Sequence, residues 1–85
     1  MNQLKSAHIV GWGRFLPDRI LTNDEIARTV ATSDEWIYAR TGIRERRIAG
    51  ESETTATMAF EAAARALAVA GMHPSQIELI IVATS

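Results

Sequence analysis

The sequence predicts an α/β fold around a parallel sheet, one that its 85 residues begin and do not complete. Three observations predict this. Leu79-Ile80-Ile81-Val82-Ala83 is a continuous apolar run, β-branched at its centre, of the kind that fills a strand covered on both faces. Residues 54–70 repeat small side chains at helical spacing and are stopped by Gly71. Ala7-His8-Ile9-Val10-Gly11 reads as an earlier strand, so strand, helices and strand imply a right-handed crossover within one α/β layer. A strand apolar on both faces needs a layer above and a layer below. One long helix and two short ones cannot supply both, so the expectation is a piece of a larger fold. A domain of this length buries only about 60% of its unfolded surface, which leaves it a thin margin of stability.

In chain order, Gly11-Trp12-Gly13 and Pro17 interrupt the first strand, because glycine frees the backbone and proline removes a donor. Thr22-Asn23-Asp24-Glu25 has the threonine and glutamate of a capping box and predicts a helix running to about Val30. Thr32-Ser33-Asp34-Glu35 repeats the device, with Thr32 at the cap of a second short helix that carries Trp36, Ile37 and Arg40 and stops at Gly42. Ile43 to Ile48 is charged and extended. The long helix follows, with Ala59, Ala62, Ala63, Ala66 and Ala70 in a small-residue stripe. Alanine's helix propensity explains its abundance, but only a close neighbour explains the spacing. Pro74-Ser75-Gln76 makes one turn before the final run.

Composition excludes several function classes. Nine basic and ten acidic residues give a net charge of −1, which provides no global field for nucleic acid or an anionic membrane. No cysteine is present, so this stretch holds no disulfide, no thiolate metal site and no cysteine nucleophile. No apolar run approaches the ~20 residues that span a bilayer. Met1 to Ser6 is polar with one lysine and does not resemble a signal peptide, so a cytoplasmic location is expected.

The residues able to carry chemistry gather on the second short helix. Trp36 and Arg40 are four apart and project from one helical face, with Thr32 one turn earlier at the same spacing. An indole beside a guanidinium can grip a nucleotide, the ring stacking on a base and the cation taking phosphate oxygens. On spacing alone a plainer reading also stands: a core tryptophan and a surface cation. Arg40, Arg44, Arg46 and Arg47 form a cationic cluster that would receive phosphates or an acidic partner. For Arg46 and Arg47, with Glu45 beside them, a solvated, aggregation-resistant strand edge is the favoured reading. Gly11-x-Gly13 lacks the third glycine and the following helix of a dinucleotide site. His8 and His73 have no metal-ligand spacing and are expected to be structural. Asp34 and Glu35 are explained by helix capping and the dipole.

Taken together, these motifs resemble one family. Gly11-Trp12-Gly13-Arg14-Phe15-Leu16-Pro17, Leu21-Thr22-Asn23, Thr32-Ser33-Asp34-Glu35-Trp36-Ile37 and Arg40-Thr41-Gly42-Ile43-Arg44-Glu45-Arg46 look like the opening of β-ketoacyl-acyl carrier protein synthase III. The helix from Glu53-Thr54-Thr55 and the closing Ile80-Ile81-Val82-Ala83-Thr84-Ser85 match in order and spacing. Trp12 in the glycine turn and Tyr38-Ala39 before Arg40 are small departures that leave the motif intact.

The resemblance implies a five-layered αβαβα thiolase fold of two related halves, with residues 1–85 as the amino-terminal part of the first. It implies acyl transfer from coenzyme A to a cysteine, then condensation with malonyl-acyl carrier protein to begin fatty-acid synthesis. The thioester is a substrate, and no cofactor is implied. It also implies that Trp36 stacks on the adenine of coenzyme A while Thr32 and Arg40 contact the nucleotide. The family's catalytic cysteine, histidine and asparagine lie beyond these residues, and neither His8 nor His73 matches the histidine. A homodimer is implied, with no nucleic acid and no membrane as partner. Two rival readings are a condensing enzyme of secondary metabolism and a non-catalytic coenzyme A-binding subunit.

Overall fold

The computed structural model describes residues 6–84; the polar start of the chain, residues 1–5, and Ser85 lie outside the described residues. The chain divides into two units, Leu16–Thr54 and a second made of residues 6–15 with 55–84.

The first unit holds most of the regular structure. Strand β1 (Arg19–Thr22) leads directly into helix α1 (Asn23–Ala27). Helix α2 (Asp34–Thr41) follows, and strand β2 (Glu45–Ile48) returns antiparallel to β1, with Leu21 opposite Arg46 and Arg19 opposite Ile48. The extended reading of residues 43–48 holds for 45–48. Its partner, β1, sits just after the proline that the sequence marks only as a break.

Two helix boundaries differ from expectation. Thr22 caps α1 as expected, its hydroxyl accepting the Glu25 N–H at 3.2 Å, but the helix ends at Ala27 rather than near Val30. Thr29 and Val30 instead fold a turn, both of their N–H groups donating to Ile26 O at 3.0 Å, and the Thr29 hydroxyl takes the same carbonyl. β-Branched residues are weak helix formers, and a threonine hydroxyl that takes a backbone carbonyl favours turns. The cap of α2 is Ser33, not Thr32: Ser33 Oγ accepts the Trp36 N–H at 3.2 Å. Thr32 belongs to the preceding turn, where its own N–H donates to Val30 O at 2.8 Å. Gly42 ends α2 with φ 69°, a left-handed conformation that costs glycine little, and its N–H bonds Tyr38 O at 2.7 Å.

The second unit is dominated by helix α3 (Thr55–Ala70), ended by Gly71 as expected. Its alanine stripe has a neighbour, which is the backbone of Gly11 and Gly13. A Cβ on Gly13 would lie 2.6 Å from both Ala62 O and Ala66 N, and one on Gly11 would lie 2.7 Å from Ala66 O. Two glycines and three alanines therefore let an irregular segment lie directly against a helix. Arg65 secures the same approach, donating to Arg14 O at 2.9 Å with its guanidinium 5.6 Å from the Phe15 ring. Pro74–Gln76 forms one 3-10 turn. It is capped by His73, whose Nδ1 accepts the Ser75 N–H while the Gln76 carboxamide takes the His73 N–H. The structural reading of His73 holds.

Residues 7–11 and 79–83, expected as strands, carry no strand hydrogen bonds, and the only sheet among the described residues is the antiparallel β1–β2 pair. A strand is a relation between two chains of backbone groups, and neither run finds a partner here. No hydrophobic side chain among the described residues is buried, and Ile81 is 83% exposed. The two-faced apolar run is thus uncovered, as the count of available layers anticipates.

Candidate functional site

Helix α2 and the turn before it form an open cleft of about 430 Å³ lined by Val30, Ala31, Thr32, Ser33, Trp36 and Ile37. Two of the three expected site residues, Thr32 and Trp36, stand in its wall. The third, Arg40, lies against the indole, its guanidinium carbon 4.4 Å from the Trp36 ring centroid. This is a cation–π contact made possible by the four-residue spacing on one helical face. Trp36 stays 55% exposed even with the arginine against it, so it is not a core anchor among these residues.

Thr32 is the unusual member. Its hydroxyl oxygen is buried and has no hydrogen-bond partner. A buried hydroxyl left unpaired costs about 1–3 kcal/mol, so such groups are normally satisfied by protein, water or ligand. The displacement of Thr32 from the cap produces this state. Ser33 Oγ meets the helix N–H, and the Thr32 hydroxyl is left buried and unpartnered on a residue of the cleft wall. The cleft therefore combines an aromatic plate, a stacked cation and one unsatisfied polar group. Aromatic and apolar lining with a few placed polar groups is the usual make-up of a small-molecule site.

The arginine cluster does not converge on the cleft. Arg44 Nη1 pairs with Asp34 Oδ2 at 2.8 Å and its guanidinium carbon lies 3.7 Å from the Tyr38 ring centroid. Arg46 Nη2 donates to Asn23 Oδ1 at 2.8 Å, and Arg47 Nη1 donates to Pro17 O at 2.9 Å. All three are engaged within the unit. Arg46 and Arg47 stand on the edge strand β2, as expected, with Arg47 exposed and Arg46 half-buried, and each also makes a hydrogen bond that ties it down. Asp34 is likewise more than a dipole partner, since it receives both Arg44 and the Asn23 carboxamide.

Asn23 is the residue that sequence reasoning passed over. It is 1% exposed and bonds Asp34, Ile43 O and Arg46. One signal was available: asparagine is a good cap but a poor helix former, and here it stands one position after a cap that Thr22 already fills. Among the described residues, no group of three histidine, cysteine, aspartate or glutamate side chains is arranged to hold a metal, and no helix is long and apolar enough to cross a membrane.

No family model matches the chain. Comparison with curated proteins is informative. The chain is 56% identical over 82 residues to β-ketoacyl-[acyl-carrier-protein] synthase III of Rhizorhabdus wittichii, a match covering 96% of this chain and 26% of that protein. It is 54% identical over 79 residues to the synthase III of Laribacter hongkongensis, covering 93% of this chain and 25% of that one. Among solved structures it resembles 3-oxoacyl-[acyl-carrier-protein] synthase III from Aquifex aeolicus VF5, with a TM-score of 0.73, 51% identity and coverage of 80% of this chain and 22% of that chain. It also resembles the priming β-ketosynthase of the R1128 polyketide biosynthetic pathway, with a TM-score of 0.75, 41% identity and coverage of 82% and 21%. The chain spans about a quarter of the length of the curated relatives it matches. The resemblance read from the motifs is borne out: the chain is homologous to a segment of these synthases, and its α/β architecture is that of a segment of their thiolase-type fold.

Proposed function

We propose that the full-length protein is a condensing acyltransferase that joins an acyl-coenzyme A to malonyl-acyl carrier protein and so begins a fatty-acid chain, with the cleft on α2 as the seat of the coenzyme A nucleotide. The observation that carries this reading is the cleft wall itself: an exposed indole with a guanidinium carbon 4.4 Å from its centre, beside a buried hydroxyl that lacks a partner. Adenine stacks on the free part of the indole, Arg40 is free to turn toward phosphate oxygens, and Thr32 gains the hydrogen bond it lacks by rotating its hydroxyl into the cleft.

The chemistry belongs to residues outside this chain. A thiolate attacks the thioester carbonyl, the acyl–sulfur bond to coenzyme A breaks, and the coenzyme leaves as its thiol. Loss of carbon dioxide from the malonyl group then leaves an electron pair that forms the new carbon–carbon bond and releases the thiolate. The nucleotide cleft supplies binding energy remote from the reacting atoms, which positions the thioester for attack. This reaction uses the thioester as substrate and calls for no further cofactor. A cytoplasmic homodimer is the expected setting, and sedimentation of the purified full-length protein at monomer mass would remove the dimer.

Calorimetric titration of the full-length protein with coenzyme A tests the reading. Weakened binding in both Trp36→Ala and Arg40→Ala supports it, and unchanged affinity in both removes the site. A second reading, a condensing enzyme of secondary metabolism, draws on the likeness to the polyketide priming synthase. The curated relatives at 54–56% identity are synthase III proteins, and this favours the first. No observation supports a non-catalytic subunit.

A further inference from the structure

We infer that Asn23 is a positioning residue for the cleft: its carboxamide holds helix α2 at both ends and thereby sets the face on which Trp36 and Arg40 stand. The inference rests on the nucleotide reading of that cleft. A carboxamide offers two donors and one acceptor oxygen, and here all are used. Asn23 Nδ2 donates to Asp34 Oδ1 at 2.9 Å, in the first turn of α2, and to Ile43 O at 2.6 Å, immediately beyond the glycine that ends it. Its Oδ1 accepts from Arg46 Nη2 at 2.8 Å, and its backbone N–H donates to Arg44 O at 2.9 Å. Asp34 passes the hold onward, pairing through its other oxygen with Arg44, whose guanidinium lies on the ring of Tyr38 in the middle of α2.

No residue of α2 is fully buried and Ile37 is half-buried, so apolar packing gives this helix only a weak hold on its rotation among the described residues. The polar network gives a stronger one, and Asn23, at its centre, is the one buried polar residue among those described. Binding groups held by such a supporting layer lose effect when it loosens, because small misplacements degrade contact geometry.

Titration of coenzyme A into full-length Asn23→Ala is expected to show about tenfold weaker binding at unchanged stoichiometry. A purely structural role would lower the melting temperature or the fraction able to bind, and leave the dissociation constant of the folded molecules as it was. That result overturns the inference. Should Asn23→Ala not fold, Asn23→Asp and the pair Asn23→Asp with Asp34→Asn decide instead. The single change sets a carboxylate against both Asp34 and Ile43 O and weakens binding; the pair restores a donor opposite an acceptor at position 34 alone and recovers part of the loss. No recovery overturns the proposal. Trp36→Ala and Arg40→Ala, measured alongside, separate this idea from the one beneath it: unchanged affinity in both removes the nucleotide reading. Positioning is then read without ligand, from acrylamide quenching of Trp36 in a background whose other tryptophans are phenylalanine. Asn23→Ala changes the quenching constant if α2 is released, and identical quenching overturns the proposal.

Discussion

At the scale of single residues, the cleft depends on how Trp36 divides its surface. Arg40 lies 4.4 Å from the ring centroid, yet the tryptophan remains 55% exposed, so both a cation and a flat ligand can use one indole. Trp36→Ala removes the stacking surface and is expected to weaken coenzyme A binding by about 1–3 kcal/mol in the full-length protein. Its melting temperature should stay close to that of the parent, because an exposed side chain contributes little packing. Arg40→Ala is expected to weaken binding more at low ionic strength than at high, since salt screens an exposed cation from phosphate within about 10 Å at 0.1 M. Titrations at two salt concentrations check this, and a salt-independent loss would mean that Arg40 acts only through the indole. The pair was legible because both residues lie on one short helix, where spacing alone fixes which side chains meet. Asn23 was not. Its side-chain partners lie 11, 20 and 23 positions away, and no local pattern announces a contact of that range.

At the scale of elements, the alanine stripe on α3 was legible as a surface built for close approach, and its partner was not. Gly11 and Gly13 resemble the start of a phosphate-binding loop, but their missing side chains serve to bring an irregular segment against Ala62, Ala66 and Ala70. Gly13→Ala would place a methyl group 2.6 Å from two backbone atoms of α3, which cannot swing aside as a side-chain tip can. A destabilisation of about 1–3 kcal/mol is expected, from overpacking, together with faster amide exchange in the middle of α3. Thermal unfolding and hydrogen exchange of the full-length variant check it; an unchanged melting temperature would show that the segment stands off the helix. Helix ends were less legible than helix existence. Thr32 and Ser33 are adjacent, both good caps, and which one serves is settled by the turn that Thr29 and Val30 impose beforehand. Strand β1 escaped notice because four residues after a proline carry too little pattern, and only its register with β2 defines it.

At the scale of the whole molecule, fold class was readable because an apolar run such as residues 79–83 states how it must be covered, whatever covers it. Its actual covering is not encoded nearby, and the described residues supply none. An open apolar groove of about 660 Å³ runs along α3 and the segment after it, lined by Phe60, Leu67, Met72, Ile77, Leu79 and Ile80 among others. Apolar burial is the dominant favourable contribution to folding, at about 25 cal/mol per Å², and ordering each residue costs about 1.5 kcal/mol of conformational entropy. A chain whose described residues bury no hydrophobic side chain gains too little of the first to offset the second. A net charge of −1 adds almost no repulsion between copies. The 85-residue chain prepared by itself is therefore expected to melt gradually and to bind a hydrophobic dye such as anilinonaphthalene sulfonate. Its apparent mass should rise with concentration as exposed apolar faces associate. Calorimetry, dye fluorescence and sedimentation on the isolated chain give the answer directly. A sharp, reversible transition with a van't Hoff enthalpy equal to the calorimetric one, at monomer mass, would mean that these residues close a core of their own.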